Sequence, residues 1–440
     1  MATFYLLKTI TFPTVTIDNA GNTIHVIMKT YDTENNPEAV NAVDKNMAII
    51  DYGKLTYEYD IDDPFIVPSG MDFKVFDPDE YLTDFLFGTP LTLPAEKRYI
   101  IEVYLYYNDD IIYGGDSLED AIEYNEGTKI LSLKTANAIN KLNEKKLYDV
   151  SNSPLDPLGL DPTYWVNFQE LLVSIYKLIN PATGADTVEV DITHGWRWKD
   201  TATAPFTQRE LGGLDIYVSS WFNSYSSWQT AETVGDFLRQ LCLEFNAYTG
   251  MSTWGNAFFA QVLNFDATPT VTFTDDDIIN INRSFGYSKR KYVSIQSRDA
   301  ETGAAGDVDT FGDIELAGIE GQTIERDVTA YTQSSGTITT DWLLRFTSTP
   351  AEVQRACVGI RDIWGNSLQD EQCGVLADKL YRTRALAAMT RRDRFVVFGI
   401  DYTFPLIFTY DSVDYQSTKM VKDFTNHLTT IEAFQMPDLS

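Results

Sequence analysis

Histidine and cysteine are scarce in this sequence, with three of each among 440 residues. That leaves little material for zinc, haem or thiol chemistry and no disulfide framework. Cys242, Cys357 and Cys373 are odd in number and widely spaced. Cys242 falls on the apolar face of an expected helix. All three read as reduced, mostly buried thiols of a protein that folds in a cytoplasm. Basic residues are also few. There are 34 Lys and Arg against 64 Asp and Glu, a formal charge of −30 with a pI near 4.3. A surface of that sign does not grip nucleic-acid phosphates and is repelled by anionic membranes. The sequence holds no run of about 18 apolar residues, so no transmembrane helix or membrane anchor is expected. The start, MATFYLLKTI, leads into no long apolar stretch and no small-residue cleavage site, so no secretory signal is expected. Phosphate-binding loops and the G-x-S-x-G elbow are missing too. An ordinary kinase, dehydrogenase or hydrolase is therefore unsupported, and the expectation is a protein that is not an enzyme and carries no cofactor.

What the sequence does have is apolar and aromatic material. Hydrophobic residues make up 44% and aromatics 13%, enough to bury a core and to exclude general disorder. At about 150 residues per domain, two or three domains are expected.

Residues 1–110 read as β. Val15 and Ile17, then Asp18 to Asn22, then Ile24, Val26 and Met28 form a hairpin pattern with turn residues between alternating arms. Leu55, Tyr57, Tyr59 and Ile61 recur with period two, as in a half-buried strand. Phe73, Val75 and the run from Tyr99 to Leu105 add two more. Pro64, Pro68, Pro78, Pro90 and Pro94 mark the loops.

From 116 the character changes. Asp116 with Glu119 resembles a capped helix start. Residues 130–147 are expected to be helical, with a strand over 129–133 as the alternative. Phe168, Leu171, Leu172, Ile175, Leu178 and Ile179 have helical spacing ended by Asn180-Pro181. The cleanest amphipathic pattern is Val234, Phe237, Leu238, Leu241, Cys242 and Phe245, with Thr233 as its cap and Gly250 just past its end.

Residues 263–346 return to β, at Val271, Phe273 and the run from Tyr292 to Gln296. Thr349-Pro350-Ala351-Glu352 has the form of a capped helix start. A second helix is expected over 370–391, and a β-meander over 395–434 with turns at Asp411-Ser412 and Thr425-Asn426. The expected architecture is therefore α+β and β-rich. It divides into an N-terminal β domain (1–115), a helix-rich middle (116–262), and a second β domain with a helical pair and a C-terminal meander (263–440). The two β regions could be distant copies of one barrel, though no residue match supports that.

Three chemistries have candidate residues. Asp275, Asp276 and Asp277 are consecutive, and such a run cannot turn all its carboxylates to one ion. Asp307, Asp309, Asp313 and Glu315 are better spaced for Ca²⁺, but the twelve-residue pattern is absent and the stretch reads as an exposed acidic loop. No metal site is expected. A glycosidase needs two carboxylates, but with 64 acids some pair will meet the distance by chance. Trp196, Trp198, Trp221, Trp228 and Trp254 could stack on sugars, yet they read better as packing. His25, His194 and His427 have no neighbourhood that suggests a base.

One basic region breaks the pattern. Arg382, Arg384, Arg391, Arg392 and Arg394 lie within thirteen residues, with Asp393 as the sole acid among them. Residues 351–440 hold ten basic and twelve acidic residues, so nearly all of the negative charge sits before them. Dense arginine often cements protein contacts through bidentate carboxylate pairs. The plainer reading is basic residues complementing a helix C-terminus. Both can hold, and the cluster is the candidate assembly interface.

The order of elements resembles phage tail and baseplate hub proteins. The resemblance rests on the helix Thr233 to Cys242, the turn Tyr248-Thr249-Gly250, the stretch Gly255 to Phe259, and the Ala- and Arg-rich segment Ala377 to Ala385 feeding the meander from Phe395 to Phe434. It covers residues 230–440 better than 1–230, and the stretch 116–230 departs from a minimal hub. It implies tail-tube-like β-barrel domains at both ends and a homotrimer presenting a six-fold-like ring. The implied partners are tail tube and distal tail proteins, a spike or tip protein and a tape measure protein. It implies a structural virion protein of the baseplate or tail tip, assembled in the host cytoplasm and lining a conduit through which DNA passes without specific binding. An acid-lined bore would repel phosphates. The alternatives are a receptor- or carbohydrate-binding tail appendage and, behind it, a polysaccharide-degrading tail enzyme.

Overall fold

The computed structural model describes residues 5–18, 20–32, 37–58, 66–67, 69–87, 98–143, 165–178, 189–192, 196–198, 207–209, 215–217, 233–244, 247–253, 256–261, 268–285, 293–299, 314–315, 323–324, 340–346, 351–356, 359–361 and 391–436. The fold is β-rich α+β. Period-two alternation builds its main element, a 16-stranded sheet containing strands from both ends of the chain. In Ser69–Phe76, for example, Ser69, Met71, Phe73 and Val75 are buried while Asp72, Lys74 and Phe76 are exposed. The N-terminal hairpin closes as expected: Val15 pairs with Ile24, and Gly21 sits at φ +87° where a side chain would be strained.

The two ends of the sequence meet where Val413–Asp423 pairs antiparallel with Lys54–Glu58, Met420 opposite Tyr57. One hydrophobic core follows from that seam. It joins Ile24, Val26, Met28, Val103 and Leu133 to Phe395, Phe408, Met420 and Ile431. Tyr57 stacks on Phe404 with ring centroids 5.5 Å apart.

The middle region supplies two amphipathic helices, Phe168–Lys177 and Val234–Glu244, at the expected places. Thr233 and Asp236 cap the second reciprocally. Asp236 N–H donates to Thr233 Oγ1 (3.1 Å), and Thr233 Oγ1 donates to Asp236 Oδ2 (2.8 Å). Their buried faces pack with the strands Ala247–Thr253 and Asn256–Gln261, with Phe168 edge-on to Phe259 at 5.1 Å.

Local signals misled at four places. Asp116 is no helix cap but lies in the long strand Asp110–Asn125, opposite Glu102. Residues 130–137 form a strand, because Leu131, Leu133, Thr135 and Asn137 all point inward against Ser69–Phe76; only Ala138–Asn143 turns helical, as a short 3-10 segment. Ala351–Ala356 is a strand paired with Thr340–Phe346, so strand pairing overrides the capping pattern at Thr349. Gly250 ends no helix in a turn. It lies in the strand Ala247–Thr253, where an added Cβ would meet the Phe258 ring at 2.8 Å and the Val67 carbonyl oxygen at 3.0 Å. The expected helix over 370–391 lies outside the described residues except for Arg391, which opens a strand. The C-terminal meander is present as Arg391–Phe398, Ile407–Tyr410, Val413–Asp423 and Leu428–Gln435.

Candidate assembly surface

Three of the five clustered arginines, Arg391, Arg392 and Arg394, fall on one strand; Arg382 and Arg384 lie outside the described residues. The sequence Arg392-Asp393-Arg394-Phe395 alternates exposed, buried, exposed, buried. Asp393 is turned inward and accepts a hydrogen bond from the Tyr415 hydroxyl at 3.2 Å. Arg392 and Arg394 therefore stand together on the outer face.

Strand register extends that face. Across five strands one row reads Asn282, Arg394, Glu432, Lys419, Glu58. Nearby lysines on the row and beside it are satisfied: Lys419 Nζ is 2.7 Å from Glu58 Oε2, and Lys54 Nζ is 3.1 Å from Asp423 Oδ2. Among the described residues Arg392, Arg394 and Arg283 have no carboxylate within 4.0 Å, the limit for an ion pair. Arg392 instead lies over the Phe434 ring, 4.9 Å from its centroid, which leaves its polar edge free.

The surface continues beyond the arginines. Val396 and Phe398 follow on the same outer face by alternation, and Phe398 is 58% exposed. Ile279, on the neighbouring strand Ile278–Phe285, is 47% exposed. Basic and apolar groups thus adjoin at the border of the sheet, the composition of an interface. Sequence reasoning found the arginines but missed Ile278–Phe285 and Phe398. The R-x-R-x-V-x-F alternation was the available signal.

The other candidates are distributed differently. Asp275, Asp276 and Asp277 build a turn: Asp277 Oδ2 accepts from Thr274 N (2.8 Å) and Oγ1 (2.7 Å), and the Tyr410 hydroxyl donates to Asp275 Oδ1 (2.9 Å). Asp307, Asp309 and Asp313 lie outside the described residues, and Glu315 belongs to the short strand Ile314–Glu315. Among the described residues no three His, Cys, Asp or Glu side chains are grouped to hold a metal ion. Trp196 and Trp198 fall in a strand paired with Thr207–Arg209, whereas Trp221, Trp228 and Trp254 lie outside the described residues. Cys242 is buried and forms no disulfide; Cys357 and Cys373 lie outside the described residues. No described helix is long and apolar enough to cross a membrane.

His25 stacks on Tyr106 at 4.4 Å, while His194 lies outside the described residues. His427 precedes the last strand in a left-handed turn and places Nε2 3.4 Å from Asp18 Oδ2. That pair ties the N-terminal hairpin to the C-terminal meander. Nearby, burial pushes the Lys422 amine down to about 8, against the opposing charge of Asp401.

No family model matches the chain, and no curated protein matches it. Solved structures do. The chain is similar to the 43 kDa tail protein of prophage MuSo2 from Shewanella oneidensis, with 11% identity, a TM-score of 0.42, and 88% of this chain and 97% of that chain covered. It is similar to a tail protein from Neisseria meningitidis MC58 (9% identity, TM-score 0.41, 88% and 95% covered). It is also similar to prophage tail protein gp18 from Listeria monocytogenes EGD-e (9% identity, TM-score 0.38, 88% and 89% covered).

Proposed function

We propose that this chain is a structural virion protein of a bacteriophage tail, the hub at the baseplate or tail tip. In this role it adapts the tail tube to the central spike or tip and lines the DNA conduit. The observation that carries the reading is the outer face with Arg392 and Arg394 exposed and, among the described residues, without carboxylate partners in an acidic molecule. Such arginines gain most when a neighbouring subunit supplies the carboxylates. The order of elements in the sequence supplies the rest.

Within this reading the three parts 1–115, 116–262 and 263–440 have separate tasks: a tube-like β part, a helix-containing adapter and a second β part with the arginine surface. Three copies form the ring, and its contacts are with tube and distal tail proteins, a spike or tip, and the tape measure protein. Acidic groups of the first 350 residues face the bore, where they repel DNA phosphates. The chain acts without catalysis.

The test is mass in solution, alone and with tube protein, followed by location in intact particles by electron microscopy. A trimer or ready co-assembly supports the hub. A persistent monomer that ignores tube protein and is absent from the tail sinks it.

A further inference from the structure

Strand Ile278–Phe285 is the terminal strand of the 16-stranded sheet. It pairs with Arg391–Phe398 on one side, and among the described residues no strand pairs with its other side. A free strand edge is a row of unused amide donors and carbonyl acceptors. Protective devices at such edges include proline, lysine and bulges. This strand has neither proline nor lysine, and its one register shift falls at the Ile278–Asn280 end. Asn280, Asn282, Arg283 and Ser284 are all exposed.

We propose that this edge receives an added β-strand from a partner protein, and that the strand is acidic. The proposal rests on the assembly reading above and names the partner's chemistry. Main-chain hydrogen bonds along Ile278–Phe285 supply the addition. Selection comes from one face. Ser284 stands in register with Arg392, and Asn282 with Arg394. Both edge residues are short, so Arg394 can reach across Asn282 toward the new strand, and Arg392 can do the same across Ser284 by leaving the Phe434 ring on which it rests. Asp or Glu at two alternate positions of that strand would meet the two arginines, because alternate residues share a face. Apolar residues at the next two alternate positions would cover Val396 and exposed Phe398. Arg283 adds positive charge on the other face and so also disfavours a basic strand. A second copy of this chain is a poorer occupant. The opposite end of the sheet, Glu38–Asn41, offers only four residues to pair.

The experiment uses the full chain and a capped eight-residue peptide, Glu-Thr-Glu-Thr-Val-Thr-Val-Thr, with affinity measured by calorimetry. Four comparisons decide the matter. The Lys-for-Glu peptide should bind at least about tenfold more weakly, and the difference should shrink at high salt. Arg392→Glu with Arg394→Glu should abolish the preference. Of two peptides N-methylated at alternate amides, one should lose binding and the other keep it, since only one row of amides faces the edge. Equal binding of acidic and basic peptides, or of both N-methylated peptides, overturns the proposal. Sedimentation should show peptide binding that leaves any oligomer intact; displacement of self-association by peptide would assign the edge to a second copy instead. If the protein assembles with tube protein through its arginines but takes no peptide, this inference falls and the assembly reading stands. If peptide binds and no tail assembly occurs, the reverse holds.

Discussion

Asp77 is fully buried, and its carboxylate does the work of a whole helix start. It accepts from the backbone N–H groups of Tyr81 (2.8 Å), Leu82 (3.0 Å) and Thr83 (2.9 Å) and from the Thr83 hydroxyl (2.9 Å). Asp77→Ala should cost about 2–3 kcal/mol, because it removes a cap and strands buried donors. Urea unfolding measures this; a loss under about 0.5 kcal/mol would show that water replaces the carboxylate. Lys422 gives a pH signature. Its amine titrates near 8 when folded and at the usual value near 10.5 when unfolded, because burial penalises the charge. Between those values the unfolded chain binds more protons, so stability rises with pH through that window. Lys422→Met should flatten the rise. An identical pH profile in both proteins would refute the assignment. At the acid end the sign is the same, in a lower window. The Asn22 side chain holds Asp18 low, and the Gly53 N–H holds Asp51 low, so both contribute stability that is lost as pH falls through the carboxylate range.

At the scale of elements, the strand from 54 to 58 and the two amphipathic helices were legible because their apolar spacing is strong. Leu55 and Tyr57 point inward, and Leu171, Leu172, Leu238 and Leu241 line the buried helix faces. Residues 130–137 were not, because Ile130, Leu131, Leu133 and Ala136 satisfy both periods. Pairing with Ser69–Phe76 decided between them. At Ala351–Ala356, antiparallel pairing with the strand just before it, Thr340–Phe346, overrides the capping signature. Gly250 is constrained by packing rather than by a turn. Gly250→Val should cost about 1–3 kcal/mol by overpacking against Phe258 and the Val67 carbonyl. A thermal melt reads it, and a neutral result would mean the strand can shift by several tenths of an ångström.

For the whole molecule, the seam between Lys54–Glu58 and Val413–Asp423 makes the two ends of the chain share one core. Calorimetry should therefore find residues 5–137 and 391–436 unfolding in one transition. Thr56→Pro, which removes a ladder donor at the seam, should lower that transition for both ends together. Two transitions, with only one moved by the substitution, would contradict a shared core. The arginine surface predicts the opposite separation. Arg392→Gln with Arg394→Gln should leave the monomer's stability within about 1 kcal/mol of the parent, because both side chains are exposed and what is lost is the contact with the Phe434 ring and a cross-strand position opposite Glu432. Assembly, read by sedimentation, should fail. Normal assembly would return the cluster to a local role.

The sequence by itself determined the fold class, the helices at 168–177 and 234–244, the C-terminal meander and the presence of an arginine cluster, since each rests on residue spacing or composition. Its scarcity of histidine and cysteine left little material for zinc, haem or thiol chemistry. Only the tertiary structure decided that 413–423 joins 54–58, that Asp393 turns inward while Arg392 and Arg394 turn out, and that these two have no carboxylate partner among the described residues. The physical reason is that strand pairing and charge pairing are long-range. The partner lies hundreds of residues away, and no local pattern records which residue it will be.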